Sequence, residues 1–360
     1  MTSVSLAVNG KRLSQWKSVS VSRSLTALAD SFTLDYVDTI TNEDYPIDTG
    51  DQCVLYIGNN RVVTGYVDVV DFSYSAGSGS STHGFRVMGR SRTADLYDSS
   101  AVPSPAQYQQ KTFKVIAEQV CSDFGIAVEF TSNVDSLVTT PIKRQSVEVG
   151  ESVGDFLGRI AQKLGVLLTS TAEGKLLIGR PPVVQSGSGL MLGPGGRVKG
   201  GRRTKDHRER HSVYIAFGQR QGSPQALGAA AKDGKQSAKD PRVQRYRPLV
   251  WVQDGSSDSG TLLRASEWRR NTRAGQSERV SYTVQGWEHS PGQPWEPGLT
   301  VFVEDKFLRL SRVGLIIESC NFTFSESGGS ETQIDLVLPE AFQSLSPPTE
   351  PKIRDGVMTW

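Results

Sequence analysis

Alternation of apolar and polar residues with a period of two is the feature that most constrains the fold of this chain. Val4, Leu6 and Val8 alternate with polar residues up to Asn9-Gly10, a strong short-range hairpin signal. The alternation returns in short segments as far as Gly89, with turn sequences at close intervals and no helical period. This pattern predicts a closed β-barrel or sandwich, because closure removes the exposed strand edges.

A second all-β segment lies near the end of the chain, at about 278–340. Its alternating segments are 280–284, 299–303, 315–324 and 334–338. The sequences Glu304-Asp305-Lys306 and Ser327-Gly328-Gly329-Ser330 separate these segments and are typical of turns. We therefore expect a second barrel here.

Helical spacing occurs mainly between these two β-rich segments. Apolar residues predict one helix over 113–124 and another that begins at Ser152, where Asp155 is placed to complete a capping box. A hairpin is expected over 166–178. Residues 103–180 are therefore interpreted as a small α/β domain.

The sequence predicts a β-rich α+β fold with two β-barrel domains and an inserted small α/β domain. Pro181–Gly201 is predicted to be loop or linker, and 221–241 to be a long mobile loop, because these stretches are rich in glycine or small polar residues. A helix is expected over Thr261–Ala274. The predicted domains are 1–102 (first barrel, completed by 200–220), 103–180 (α/β), 181–258 (linker, strands and mobile loop), 259–343 (helix and second barrel) and 344–360 (extended tail).

Charge and composition exclude several functional classes. Forty Lys and Arg residues against 38 Asp and Glu residues leave a net charge of +2, so no global electrostatic argument for nucleic acid or membrane binding holds. The start has no apolar run of signal-peptide length, and no stretch approaches the ~20 residues of a spanning helix. We expect a protein made and kept in the cytoplasm, or exported without a cleaved signal.

The chain has three cysteines, Cys53, Cys121 and Cys320, which are widely separated and lack C-x-x-C spacing. They are predicted to be buried or neutral thiols.

Residues that could carry out catalysis are scarce. His207-x-Glu209-x-His211 lacks the H-E-x-x-H spacing of a zinc helix, so a solvated basic arm is favoured over a metal site. Gly193-Pro194-Gly195-Gly196 lacks the G-K-[ST] that completes a phosphate loop. No catalytic residue, cofactor or metal is predicted.

Two features suggest contact surfaces. The basic stretch 197–211 lacks interleaved aromatic residues, so a solvated or subunit-contacting arm is favoured over a nucleic-acid strip. Trp287 and Trp295 bracket a loop that could be a carbohydrate platform or a protein contact, although core packing is favoured. The candidate phosphate or subunit contacts in the basic stretch are Arg202, Arg203, Lys205, Arg208 and Arg210.

Seven segments of the chain together resemble a known family. In chain order they are SVSRSLTALADSFTLDY, VMGRSRTADLYDSS, GESVGDFLGRIAQKLGVLLTSTAEGKLLI, RERHSVYIAFGQ, RYRPLVWV, SEWRRNTRAGQS and YTVQGW. They are similar to segments of the baseplate hub protein of Mu-like contractile-tailed bacteriophages, which is related to the T-even phage hub and to the base of the type VI secretion spike. Each motif is weak alone, but the match is collinear from about residue 3 to residue 343.

The resemblance implies a homotrimeric ring in the tail baseplate of the virion. Two similar barrels per chain would alternate around the ring, which would join the sixfold tail tube to the threefold spike and leave a channel for DNA ejection. The first barrel would be completed by returning chain, for which Val213–Phe217 is the candidate strand. The implied partners are the chain itself, the spike or puncturing protein, and the tail tube or other baseplate proteins, with DNA in transit and no stable membrane insertion. Assembly is expected in the host cytoplasm. The tail that ends in Trp360 is expected either to lie along a neighbouring tail protein, with Trp360 as the partner anchor, or to be disordered.

Two other functional classes are weighed against the hub. A tail-associated cell-wall hydrolase would need a catalytic constellation and has no spare domain to house one. A nucleic-acid-binding barrel module would depend on the basic stretch. Near-neutral charge fits a conduit, because a strongly basic lumen would retain DNA; the basic stretch is therefore not assigned to the channel wall.

Overall fold

The structure is a computed structural model, and it describes residues 3–38, 47–77, 80–181, 190–219, 234–256, 259–342, 352–354 and 357–359. The α-helices are α1 (Asp95–Asp98), α2 (Phe113–Ser122), α3 (Asp135–Val138), α4 (Val153–Leu164) and α5 (Ser259–Gln276). The first strands are β1 (Val4–Val8), β2 (Lys11–Leu13), β3 (Ser18–Ser24), β4 (Ser31–Asp38), β5 (Gln52–Ile57), β6 (Asn60–Gly77), β7 (Ser80–Ser91), β8 (Gln107–Thr112), β9 (Val128–Phe130), β10 (Pro141–Ser146), β11 (Leu167–Ser170) and β12 (Leu176–Gly179). The others are β13 (Leu190–Leu192), β14 (Val198–Lys205), β15 (Val213–Gln219), β16 (Lys235–Lys239), β17 (Pro248–Ser256), β18 (Glu278–Gln285), β19 (Glu288–Ser290), β20 (Gln293–Pro294), β21 (Thr300–Asp305), β22 (Leu310–Ser325), β23 (Gly329–Val337), β24 (Lys352–Arg354) and β25 (Val357–Thr359).

The chain divides into two compact units. The first unit consists of Met1–Gln162, Val166–Lys205 and Glu278–Pro339. The second consists of Lys163–Gly165, Asp206–Ser277 and Glu340–Trp360. Residues 103–162, which belong to the predicted α/β domain, lie in the same unit as both β-rich segments.

One large, mostly antiparallel sheet dominates the first unit and joins the two β-rich segments. Its strand order is β14-β18-β23-β22-β3-β4-β7-β6-β5-β1-β2, with β21 and β13 attached beside β22. The connection between the segments is the pairing of β22 with β3, in register from Ser319 opposite Ser24 to Ser325 opposite Ser18. Strands nearly 300 residues apart in sequence thus form one continuous surface.

The prediction of two closed barrels is wrong for the strands that the structure describes. Their order is open, with β14 at one end and β2 at the other. The reason is the length of β22, whose first half pairs with β21 and whose second half pairs with β3. Each β-rich segment therefore covers an edge of the other instead of closing on itself.

A single apolar core lies on one face of this sheet. Val21 and Phe322 are cross-strand partners, and neither is exposed. The core continues on both sides of this pair, through Leu34 and Val87 in one direction and Cys320 and Leu336 in the other. Burial of each large apolar side chain contributes about 1.5–3 kcal/mol to stability, so the core holds the two segments together as one body.

The helices predicted between the two segments are confirmed. In α2, the Thr112 hydroxyl accepts a hydrogen bond from the Val115 amide at the first turn. In α4, the Asp155 amide donates to the Ser152 hydroxyl over 3.0 Å, and that hydroxyl donates to the Asp155 carboxylate over 2.8 Å. The hydroxyl therefore caps α4, although the carboxylate binds the hydroxyl and not the Ser152 amide that a capping box would use.

The second unit has a three-stranded sheet of its own. Here β15 pairs antiparallel with β16 and parallel with β17, and α5 lies against β15 and β16. The expectation that Val213–Phe217 completes the first barrel therefore differs from the structure, in which these residues form the centre of a separate sheet. The parallel pairing with β17, more than 30 residues later, has no turn signal that could reveal it in sequence.

Two stretches predicted as loop contain strands. β13 and β14 lie within or just after the predicted linker Pro181–Gly201, and β16 lies within the predicted mobile loop, of which residues 221–233 are outside the described residues. β16 is polar, and its pairing with β15 supplies the order that its composition does not predict. In the tail, β24 and β25 pair with each other, while Trp360 lies outside the described residues.

None of the helices in the described part of the chain combines the length and the apolar character that crossing a membrane requires.

Close approach of β6 to β7 leaves no room for a side chain at position 65. A Cβ atom at Gly65 would lie 1.8 Å from the Arg90 carbonyl oxygen, whereas at Gly158, on α4, it would meet nothing within 4 Å. We expect Gly65→Ala to lower the free energy of unfolding by about 1–3 kcal/mol, and Gly158→Ala to leave it unchanged or raise it by up to about 1 kcal/mol. Urea denaturation of both variants tests this, and equal stabilities would contradict the strand register.

Candidate functional site: the polar face of the large sheet

The face of the large sheet opposite the core is covered by polar side chains in rows that cross both β-rich segments. Successive side chains of a strand alternate between faces, so residues two apart share a face and cross-strand partners align. Across β14, β18, β23, β22 and β3, one row is Arg202, Ser281, Asp335, Ser319 and Ser24. Across β18, β23, β22, β3 and β4, two further rows are Thr283, Gln333, Asn321, Ser22 and Ser31, then Gln285, Glu331, Thr323, Ser20 and Thr33.

We call these fifteen residues the polar face. Nine carry hydroxyl groups, three carry amides and three are charged. None of the fifteen is fully buried, whereas the neighbouring core positions Val21, Phe322 and Leu336 are. The arrangement offers many weak, neutral hydrogen-bonding groups and few charges.

The charges on and beside the polar face are mostly paired with one another. The Lys199 ammonium forms an ion pair with the Glu331 carboxylate, with 2.5 Å between Nζ and Oε1. On the adjoining strands, the Arg86 guanidinium lies 2.6 Å from Asp35 and holds the pKa of that carboxyl below its ordinary value. Local pairing of this kind leaves a surface with little net charge.

Asp335 is fixed at the centre of its row by neighbouring hydroxyls. The Ser281 hydroxyl donates to Oδ1 of Asp335, and the Ser319 hydroxyl donates to Oδ2 over 2.8 Å. The Gln333 amide reaches Oδ1 at 3.3 Å. Three polar-face side chains therefore orient one carboxylate.

Beside this row the sheet surface opens into a cleft of about 450 Å³. A β-bulge places Glu318 between Ile317 and Ser319 without a partner on β23, and the Glu318 side chain lines the cleft. Glu318 is 8% exposed, and burial raises the pKa of its carboxyl, with Arg279 opposing the rise and Asp335 adding to it. Arg202 and Arg279 also line the cleft, and both are exposed.

The five basic residues singled out in the sequence do not form a single strip. Arg202 is exposed on the polar face, and Lys205 is exposed at the end of β14. Arg203 projects from the opposite face and binds within the chain, where its guanidinium lies 2.8 Å from Glu278 and 2.7 Å from the carbonyls of Leu308 and Arg309.

The other two basic residues belong to the second unit. Arg208 is exposed and pairs with Asp206 at 2.6 Å, which lowers the pKa of that carboxyl to about 2. Arg210 is buried, donates to both carboxylate oxygens of Asp240 at 2.6 and 3.1 Å, and reaches the Ser277 hydroxyl at 3.2 Å. Arg203 and Arg210 are thus bound by their own chain, and of the five only Arg202 and Lys205 are exposed without an ion pair to a described carboxylate.

The histidine, tryptophan and cysteine residues considered in the sequence pack against other parts of the chain. His211 packs edge-on against Tyr214, and no group of three His, Cys, Asp or Glu residues in the described ranges could hold a metal ion. Trp287 and Trp295 are buried, as predicted for core residues. The three cysteines are buried as predicted, and burial raises the thiol pKa of Cys53 and Cys121 to about 12.

Sequence analysis missed the polar face itself. Its signal is present, since Ser18, Ser20, Ser22 and Ser24 alternate with core residues along β3. The sequence does not show that these serines align with Ser319, Asn321 and Thr323 of β22, because that register depends on packing between distant segments.

Comparison with known proteins places the chain among phage tail proteins. Residues 3–91 match the family described as Mu phage baseplate assembly protein GpP-like, N-terminal, and residues 93–180 match baseplate hub protein gp44-like, second domain. Residues 261–345 match Mu phage baseplate assembly protein GpP, fourth domain.

Relatives match along nearly the whole length. Baseplate hub protein gp44 of Escherichia phage Mu is 28% identical over 348 residues, covering 94% of this chain and 88% of that protein. The crystal structure of the 43 kDa tail protein of prophage MuSo2 from Shewanella oneidensis is 31% identical, with a TM-score of 0.80 and coverage of 95% of this chain and 100% of that one.

A more distant structure shares the fold. It is an E. coli type VI secretion component, described as structurally similar to the T4 tail proteins gp27 and gp5, with 12% identity, a TM-score of 0.57, and coverage of 92% of this chain and 76% of that one. The collinear matches and the shared architecture confirm the resemblance seen in the sequence. The chain belongs to the baseplate hub family of Mu-like phages, whose members are structural proteins of the phage tail.

Proposed function

We propose that this protein is a non-enzymatic hub subunit that assembles as a homotrimeric ring in the tail baseplate of the virion. The ring joins the sixfold tail tube to the threefold spike and leaves a channel through which DNA is ejected. Family membership supports the structural role. The observation that carries the channel is the polar face, which runs without interruption across both β-rich segments.

Ring closure follows from the open sheet. Each chain contributes two β-rich segments joined side by side, so three chains supply six and match the sixfold symmetry of a tube. The outer strands β14 and β2 have unpaired edges in the described chain, and exposed edges are normally covered. A neighbouring copy on each side covers them in a closed threefold ring, and interfaces of this obligate kind bury more than roughly 2,000 Å².

The two rows of the polar face that contain Asn321 and Thr323 are assigned to the channel wall on electrostatic grounds. Binding of DNA gains strength with each phosphate that a Lys or Arg side chain neutralises, so a basic wall would hold the DNA in place. Hydroxyl and amide groups keep the wall hydrated, and ion pairs such as Lys199–Glu331 and Arg86–Asp35 occupy charges that would otherwise reach phosphates. DNA can therefore slide along this face.

The exposed basic residues at the β14 edge are assigned to subunit contact. Arg202 and Lys205 lie on the strand that ends the sheet, where a neighbouring copy would pack. Arg208 and Arg210 are engaged by Asp206 and Asp240 and are left out of this contact.

The oligomeric state tests the ring. We expect light scattering of the purified chain to give three times 39.2 kDa, about 118 kDa, because unpaired sheet edges are satisfied only in the closed assembly. A monomer at high concentration that also fails to form a trimer on addition of purified spike protein would contradict the proposal.

A cysteine accessibility experiment tests the channel wall. Thr323 is exposed on the polar face, so biotin-maleimide should label Thr323→Cys, while streptavidin, which is much wider than a DNA duplex, should not bind the label in the assembled trimer. The buried native cysteines, with raised thiol pKa values, should stay unlabelled.

Lys111→Cys is the matched control, since Lys111 is exposed on β8 and away from the polar face. Its biotin should bind streptavidin in the trimer, and both variants should bind it after denaturation. Equal streptavidin binding by the two labelled trimers would show that the polar face is on the outside.

A further inference from the structure

The cleft beside Asp335 contains the largely buried carboxylate of Glu318, on which Arg279 acts electrostatically without forming an ion pair. Glu318 is 8% exposed, and its carboxylate accepts no hydrogen bond and forms no ion pair with any residue that the structure describes. Holding a largely buried carboxylate without a direct partner is costly, because the protein replaces its hydration poorly. The Glu318 carboxylate faces the cleft, where a ligand that supplies hydrogen-bond donors and positive charge would offset this cost.

The backbone fixes the direction of this carboxylate. The Glu318 carbonyl accepts hydrogen bonds from the Leu25 amide over 2.9 Å and from the Ser24 hydroxyl over 3.3 Å. These bonds hold the bulge against the end of β3. The carboxylate is therefore presented to the cleft by a rigid element and not by a flexible loop.

Polar acceptors surround the position that a ligand would take. Asp335, oriented by Ser281 and Ser319, supplies a second carboxylate on the same wall. The hydroxyls of Ser24 and Thr204 also line the cleft. This set suits an ammonium or guanidinium group, which needs several acceptors at once.

The mouth of the cleft has the opposite charge. Arg202 and Arg279 are exposed there, and neither forms an ion pair with a described carboxylate. The cleft thus combines two acidic side chains, of which Glu318 is buried and Asp335 half-buried, with two exposed basic side chains. An occupant with complementary charges has a basic group that enters and an acidic group beside it that stays at the rim.

We propose that this cleft receives a lysine or arginine side chain, adjacent to an acidic residue, from a neighbouring polypeptide of the tail. A divalent metal does not fit, because the described acidic residues do not form a metal-binding group of three. A phosphate group would meet Glu318 and Asp335 and be repelled. A volume of about 450 Å³ admits one long side chain together with the backbone that carries it.

Capped dipeptides test this site directly. The probes are N-acetyl-Lys-Glu-amide and N-acetyl-norleucine-Glu-amide, which differ only in the ammonium group, titrated into the full-length protein and followed by calorimetry. We expect the lysine peptide to bind at least about tenfold more tightly than the norleucine peptide, and Glu318→Gln to remove that difference. Glu326→Gln, which changes the same charge at an exposed turn, should retain it.

Two outcomes would overturn the proposal. One is equal binding of the two dipeptides, or none of either at millimolar concentration, to the wild-type protein. The other is unchanged preference for lysine in Glu318→Gln. Neither result bears on the ring, since the trimer mass and the streptavidin experiment do not depend on the cleft, so the two proposals fail separately.

The pH dependence of stability shows whether Glu318→Gln is folded and whether the carboxylate is buried as described. Burial raises the Glu318 pKa above its ordinary value of 4.5, despite Arg279 and with Asp335 reinforcing the rise. The folded wild-type protein therefore binds the proton more tightly and loses stability as the pH rises above that value. Glu318→Gln should gain stability over wild type between pH 4 and pH 7 in urea denaturation, and Glu326→Gln should show no such gain; a flat difference for both would place Glu318 in solvent.

Discussion

The pairing of β22 with β3 is the interaction on which the rest of the structure depends. It joins the two β-rich segments through strands that lie nearly 300 residues apart in sequence. On one side of the pair, Val21 meets Phe322 in the core; on the other side, Ser22 meets Asn321 on the polar face. Because side chains alternate, one register decides both faces at once, and a slip of a single residue would place serines in the core and expose Phe322. The core supplies the energy that fixes the register, and the polar face is its consequence.

The same register explains the cleft. Regular pairing between β22 and β23 would place every residue of β22 opposite a partner, but the extra residue Glu318 interrupts the ladder next to the end of β3. A bulge changes the direction of a side chain by locally disrupting the ladder, and regular pairing resumes here at Ser319. Burial of the Glu318 carboxylate lowers the stability of the fold, and the apolar core that spans both segments offsets this loss. A stable scaffold of this size can hold a group that weakens it locally, which is typical of a position kept for contact with another molecule.

Local elements of this fold could be predicted from the sequence, and long-range pairings could not. Spacing of apolar residues identified α2 and α4, and Ser152 marked the start of α4, because these signals lie within one or two helical turns. The strand at Val213 was detected, but its partners were not, since parallel pairing with β17 leaves no local trace. The sequence does not reveal the partners of Arg203 and Arg210 for a similar reason: Glu278 and Asp240 lie far away in sequence, and only folding brings them within hydrogen-bonding distance. The serines of β3 were visible as an alternating pattern, but their meaning depended on the register with β22.

A subunit that lines a channel for DNA, as we propose for this chain, would have to satisfy two opposed demands. It has to be held firmly by its neighbours, which favours charges and apolar surface at its edges, and it must not hold what passes through it. A net charge near zero does not meet these demands by itself, because the 40 basic side chains could still be concentrated on the face that contacts DNA. In this chain the basic side chains that are paired and those that are free lie at different places. Arg203 and Arg210 are bound within the protein, Lys199 and Arg86 are paired with carboxylates, and Arg202 and Lys205 stand at the outermost strand. Most of the remaining polar-face side chains are hydroxyls and amides, which carry no positive charge to neutralise a phosphate, so in the proposed channel they would hold a passing duplex only weakly.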